Sequence, residues 1–334
     1  MKKLILCIAV LVLSTPAMAV TLKIATATPE GTQWMNDMRA GAKEIKARTE
    51  GRVVIKYYGG GVKGNDSKVL GQIRIRQLHG GAFTPSSLAS QYTELNLYGM
   101  PLVFDSEEEA AFVRGRMDAR IGQGLEDAGF VNFGFATSGF ANIMSSVPVK
   151  SLADLKGKRV WIPEGDTISY KSMQALSLNP VTLPLTDVLT GLQTGLIDIV
   201  AIPPIVALVL QWHTKVKYVT RVPLVYTFGY MAIDKKAFDK ISDADKAVVR
   251  EVMTSTYKNF DKVNLLDNQE AFKSLIKSGI EEVVFDADEF EKTRGLLLAS
   301  NLKLGRGGAF DLELYEEMLR YIEQYRSEQV AVAE

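Results

Sequence analysis

Cysteine is nearly absent: Cys7 is the sole one in 334 residues, and it lies within an N-terminal stretch that reads as a leader. The chain beyond that stretch has no thiol, which excludes disulfides, zinc–thiolate centres and cysteine nucleophiles. Histidine is scarce too. His79 and His213 have no partner at metal-ligand spacing, so both read as surface or packed side chains. Neither sign of charge dominates, with 39 Lys plus Arg against 39 Asp plus Glu. Nucleic acid is therefore not an expected partner. Beyond the leader no run of apolar residues is long enough to span a bilayer. No G-x-S-x-G elbow is present, and no nucleophile–base–metal set can be assembled, so no enzyme activity and no cofactor are expected.

The leader itself is well marked. Lys2 and Lys3 precede the apolar run Leu4 to Leu13, and Pro16-Ala17-Met18-Ala19 supplies an A-x-A cleavage site. Cleavage after Ala19 places the mature chain in the periplasm, where export without disulfides is common. It leaves 37 Lys plus Arg against 39 Asp plus Glu, a net charge of −2.

The remainder alternates short apolar strands with amphipathic helices, the pattern of α/β layers. Strands are expected at Thr21 to Thr26, Arg52 to Tyr58 and Gly81 to Thr84. Helices are expected at Trp34 to Arg48, where Met35, Met38, Ala42 and Ile45 share a face, and at Ser67 to Leu78. The same order returns about 135 residues later, with strands at Arg159 to Ile162, Pro180 to Leu183 and Ile197 to Ile202. Its helices are Thr167 to Leu176 and Asp187 to Gln193. Two such units imply two similar lobes. Val131 to Thr137, Ala141 to Val147 and Phe228 to Ile233 read as extended crossings between them, with Gly139 as a backbone pivot. Helices at Asp243 to Lys277 and Asp311 to Arg326 are expected to pack against both lobes, and Ser327 to Glu334 to fray. The division that follows is leader 1–19, lobe I 20–139 plus 229–267, lobe II 140–228 plus 268–326, and tail 327–334.

Ligands of such sheets bind outside the carboxyl ends of the strands. That rule selects Ala25 to Thr28, Gly59 to Gly61, Phe83 to Ser86, Trp161 to Glu164 and Ile202 to Pro204. Gly59, Gly61 and Gly64 formally match G-x-G-x-x-G but follow the second strand rather than the first, so they read as a turn-forming cluster. Glu107-Glu108-Glu109 reads as a solvated run at a helix start. Trp161 is read as facing the cleft or packing the core, and Tyr226 and Tyr230 as walling the cleft or packing the hinge.

The segment Asp154-Leu155-Lys156-Gly157-Lys158-Arg159-Val160-Trp161-Ile162-Pro163 resembles the DctP-type solute-binding proteins of tripartite ATP-independent periplasmic (TRAP) transporters. Met100-Pro101-Leu102-Val103-Phe104 is similar to that family's L-P-F-L-F. The run from Leu183 to Asp198 is similar to its L-P-x-x-E-V-Y-x-A-L-Q-x-G-x-V-D, and Val216 to Thr220 to its V-x-K-Y-L-T. The resemblance covers nearly the whole mature chain. It implies an α/β, two-lobed periplasmic binding protein of type II-like architecture, with hinge strands and long C-terminal helices across the lobes. It also implies capture of a small organic ligand and delivery to a membrane permease. Alternatives are a sensor that presents ligand to a receptor, and an exported hydrolase.

Three polar anchors implied by the resemblance are replaced. The arginine that clamps a carboxylate is Trp161, an asparagine before a proline is Ile202, and a second arginine is Ala141. A carboxylate held against indole without a cation loses its water uncompensated. The expected ligand is therefore neutral, aromatic or cationic, stacked on Trp161 and met by Glu164. Candidate contacts beside these are Ile202, Pro203, Thr26, Thr28, Asn65, Asp66, Thr84, Ser87, Asn142, Tyr226 and Tyr230.

Overall fold

The computed structural model describes residues 19–333. The leader, apart from Ala19, lies outside them. In the first unit, β1 (Val20–Thr26) buries Leu22 and Ile24. α1 (Gln33–Arg48) starts where the Thr32 hydroxyl accepts from the Met35 N–H, and its apolar stripe of Met35, Met38, Ala42 and Ile45 faces inward. β2 (Val53–Tyr58), α2 (Asp66–Arg74, capped by Asn65) and β3 (Gly80–Phe83) complete the unit. All three strands are parallel in the order β2-β1-β3.

α3 (Glu107–Asp127) and β4 (Phe130–Asn132) lead to β5 (Ala136–Ser145). The second unit follows: β6 (Trp161–Pro163), α4 (Thr167–Ala175), β7 (Val181–Leu183), α5 (Val188–Thr194) and β8 (Ile199–Ile202). β6 is parallel to β7, and Val160 bridges Ile199 in parallel, so the order β7-β6-β8 repeats that of the first unit. Then come α6 (Pro204–Val209), β9 (Tyr218–Asp234), α7 (Lys235–Phe238), α8 (Asp243–Lys277), β10 (Glu281–Val283), α9 (Ala287–Arg306) and α10 (Leu312–Ala333).

β9 joins the two halves. Its C-terminal part runs antiparallel to β3 and β4, and its N-terminal part pairs with β5 and β10. α8 packs on α1 of one half and on α6 of the other, so the two lobes share one long helix as well as β5 and β9.

The crossings differ from the sequence expectation in three places. Val131 to Thr137 is broken, because Gly134 turns at φ +109° and the Asn132 side chain accepts its N–H. β5 then runs unbroken through Gly139, which sits at φ +85° in a register shift. The return strand begins at Tyr218, ten residues earlier than Phe228. Pro223, which argues against a continuous strand, falls where the β5–β9 register skips from Thr220 to Val225.

Two further expectations are corrected. Helix α10 continues through Ala333 instead of fraying after Arg326, in a stretch with no Gly or Pro to stop it. The run at Glu107 is solvated at Glu108 but not throughout. Glu109 is 1% exposed and accepts from Arg326 Nε at 2.6 Å, an ion pair that ties α3 to α10.

Candidate functional site

The strand ends of both units converge on one cavity of about 360 Å³. Thr26 ends β1 and Thr28 follows it, Thr84 and Ser86 follow β3, and Asn65 and Asp66 open α2. From the other unit come Glu164 after β6, Thr186 after β7 and Pro203 after β8. The two sides touch at the mouth. Asn65 Nδ2 donates to Glu164 Oε2 at 3.4 Å. Gly165, at φ +87°, leaves room for the Ser86 carbonyl, which lies 2.7 Å from where a β-carbon would stand.

Eleven of the thirteen residues singled out as ligand contacts line this cavity: Trp161, Glu164, Ile202, Pro203, Thr26, Thr28, Thr84, Asn65, Asp66, Tyr226 and Tyr230. Ser87 and Asn142 do not. Ser87 stands behind Asp66, donating its hydroxyl to that carboxylate and sharing a hydrogen bond with Thr84. Asn142 holds the strand irregularity: its Oδ1 accepts from the Val222 N–H at 3.3 Å and its Nδ2 donates to the Phe140 carbonyl. The Gly59 to Gly61 turn does not line the cavity either. Its N–H groups stitch β2 to the end of β1, Gly60 to the Thr28 carbonyl and Gly61 to that of Thr26, with φ of +62° and +70°.

Trp161 serves both readings at once. It lines the cavity but is 4% exposed. Its Nε1 donates to the Leu183 carbonyl at 2.9 Å and its ring meets Trp212 edge-on at 5.2 Å. It therefore offers the cavity carbon surface rather than a hydrogen-bond donor. The Tyr226 hydroxyl accepts from Arg114 Nη1 at 3.0 Å, and burial pushes that phenol to about 12. Tyr230, 1% exposed, has a hydroxyl with no hydrogen-bond partner among the described residues.

Among the described residues, no lysine, arginine or histidine lines the cavity. The buried cation behind it, Arg114, is fully engaged by Asp261, Asp118, the Tyr226 hydroxyl and the Phe135 carbonyl. Three carboxyl groups do line it: Asp66, Glu164 and Asp166. Burial raises Asp66 above the ordinary carboxylate range, the Ser87 hydroxyl opposes that, and the Glu164 charge adds to it. Burial also raises Asp166, against the hydrogen bonds it accepts at the start of α4. Asp166 was missed from the sequence, although a capping aspartate three residues before Ser169, just past a strand end, is a legible signal. Asn96 and Ser172, also on the wall, each carry a buried polar atom with no partner among the described residues. His79 and His213 lie off this wall; His79 Nδ1 accepts from the Lys23 N–H and His213 contacts the Ala207 carbonyl.

Comparison with known proteins places this geometry in context. The family described as bacterial extracellular solute-binding protein, family 7 (DctP), matches residues 24–297. The 2,3-diketo-L-gulonate-binding periplasmic protein YiaO of Escherichia coli is 22% identical over 250 residues, spanning 73% of this chain and 74% of that protein. Among solved structures, the sugar acid binding protein DctPAm from Advenella mimigardefordensis, in complex with galactonate, superposes with a TM-score of 0.83. It has 20% identity and covers 92% of this chain and 99% of that one. A TRAP periplasmic solute binding protein from Desulfovibrio salexigens with bound orotic acid gives 0.81, with 17% identity over 91% of this chain and 99% of that one.

Proposed function

We propose, from the premise that this chain belongs to bacterial extracellular solute-binding protein family 7, that it is the periplasmic binding subunit of a TRAP-type transporter. It captures a small organic molecule between its lobes and delivers it to a membrane permease. No helix among the described residues is long and apolar enough to cross a membrane, which agrees with release into the periplasm after cleavage at Ala19. Lobe I is taken as 20–139 plus 229–267 and lobe II as 140–228 plus 268–326. Ligand contacting both lobes stabilises the closed form, and the permease reads that form.

The ligand is not a carboxylate. One observation carries this: a cavity walled by Asp66, Glu164 and Asp166 with no cation on its described lining. A carboxylate placed there gives up hydration and meets like charge. The named relatives and neighbours bind 2,3-diketo-L-gulonate, galactonate and orotic acid, so this chain departs from them in the charge of its solute. Trp161, Ile202, Pro203, Tyr226 and Tyr230 form the apolar wall around that solute, and Thr26, Thr28, Thr84, Asn65, Asp66 and Glu164 meet its polar groups.

The test is thermal unfolding of the chain with galactonate and orotate against neutral and cationic organic solutes, since a ligand of the folded state alone raises the midpoint. Stabilisation is expected only from the second set. Micromolar binding of galactonate or orotate overturns the assignment of ligand charge. Uptake of the hit by cells that does not require both this chain and a TRAP permease overturns the transport role.

A further inference from the structure

The cavity does not end at the cleft. Its wall continues into lobe II, along α4, α9 and the strands β5, β8 and β9. The apolar cluster there contains Ile143, Leu155, Val160, Ile199, Val222 and Leu297, joined by Leu102 from lobe I, each at most 8% exposed. All of its buried members except Val149 and Leu178 face the cavity, and so do its half-buried members, Met173, Leu176, Phe285 and Phe290 among them. By contrast, the cluster beneath β1 and α1 touches the cavity through Met38, Ala136, Tyr257 and Phe260, with half-buried Trp34 beside them, and keeps most of its members away from it. Protein interiors are close-packed, and an apolar space with room for ligand atoms is kept open at a cost in stability unless something fills it. The side chains of this cluster are buried from solvent yet face open space.

We propose that this chamber in lobe II holds the apolar chain or ring system of an amphiphilic ligand, whose polar, non-anionic end lies in the interlobe cleft. The inference rests on the solute-binding reading above and names the class of solute. The polar end meets Thr84, Asn65 and the carboxylates of Asp66 and Glu164. The Tyr230 hydroxyl and Asn96 amide, which lack partners among the described residues, are there to hydrogen-bond it. Inside the chamber Ser172, 1% exposed, carries a hydroxyl with no partner among the described residues. A hydrophilic solute such as a sugar would have to fit the polar arm alone and leave the apolar lining unfilled.

The experiment is a fluorescence titration of the chain with N-phenyl-1-naphthylamine, displaced in turn by hexanol, octanol, decanol, decylamine, decanoate and galactonate. Each added methylene is expected to tighten the alkanols about fourfold, decylamine to compete at least as well as decanol, and decanoate to compete less well. Met173→Trp, which fills the chamber from α4, should weaken decanol at least tenfold. Leu176→Trp is a second filler in case the first misfolds. Retained thermal unfolding cooperativity identifies the variant to score. Alkanol affinity that does not change with chain length, or filled variants that bind decanol as before, overturns the inference. If a hydrophilic solute stabilises the chain while the alkanols do not, the inference fails and the solute-binding reading survives. If the alkanols bind as expected but no permease-dependent uptake follows, the transport reading fails and the inference stands.

Discussion

The two β-α-β-α-β units share a strand order and differ in how they are filled. Around β1, Leu22, Ile24, Met35 and Ile45 are wholly buried among one another and against α8. Around β6, two of the strands are only three residues long, and many of the apolar side chains packed beneath them also border a cavity. The first unit keeps nearly all of its core away from the cavity, while the second divides its apolar side chains between a packed cluster and the cavity wall. Topology repeats, while the share of apolar side chains that line the cavity differs.

Truncation inside each unit sharpens that contrast most. Ile24→Ala removes a methyl-rich side chain from a filled core and should cost about 3–4 kcal/mol. Leu155→Ala enlarges a space that already exists, forfeits fewer contacts, and should cost about 1 kcal/mol. Urea unfolding of the two variants measures both, and equal losses would erase the distinction between filled and hollow units.

The joint between the units comes next. Gly139 combines φ +85° with a space so tight that a β-carbon would stand 2.0 Å from Asn268 Nδ2. Asn268 Oδ1 is itself held by the Ile205 N–H at the start of α6. Gly157 has φ +72° and nothing within 4 Å. Gly139→Ala should therefore cost about 2 kcal/mol and Gly157→Ala about 1 kcal/mol, the backbone strain alone. Thermal denaturation separates them, and a Gly139 variant no worse than the Gly157 one would remove the close approach as a constraint on the joint.

The contrast between the units also sets what was legible in the sequence. Periodicity reached α1, α8 and the strands of both units, because burial on one face writes a repeat into the chain. It missed the length of β9, since Pro223 imitates a strand end, and it did not single out α9, whose apolar positions are divided between the cavity wall and the core. Strand-end reasoning together with the family resemblance put Thr28, Thr84, Asp66, Glu164 and Pro203 on one wall. The same reading also took in Ser87 and Asn142, which stand one layer behind or support a strand break. Side-chain direction at an irregular strand depends on register, and the register shift at Asn142 is a tertiary event with no local mark.

Trp161 belongs both to a packed cluster of the second unit and to the cavity wall, so it tests whether the hollow unit contributes to affinity. Trp161→Ala should weaken binding of the cognate solute more than tenfold, about 1.4 kcal/mol, through lost contact area, and the Leu183 carbonyl would keep only the Glu164 N–H as donor. Isothermal titration reads the change. Unchanged affinity would make Trp161 a core residue alone and leave the wall to Ile202, Tyr226 and Tyr230.

The smallest effect lies in acid–base behaviour at the joint. Burial raises the Glu107 carboxyl to about 7, with the Glu108 and Asp261 charges adding to the rise and the Phe140 N–H and Arg114 opposing it. Its carboxylate oxygen stands 3.2 Å from the β-carbon position of Gly139. The folded chain thus holds this proton more tightly than the unfolded chain. The contribution is favourable at low pH and is lost as pH rises from the ordinary glutamate range through about 7. Glu107→Gln should accordingly be near neutral in stability at pH 5 and stabilising by on the order of 1 kcal/mol at pH 8. The first unit, joined by the exposed pair Arg48–Glu251 to α8, should show no such rise when Glu251 is replaced by Gln. Denaturant midpoints across that pH range decide it. A Glu107 difference that is flat with pH would mean the carboxylate is solvated in the folded chain and the joint is open to water.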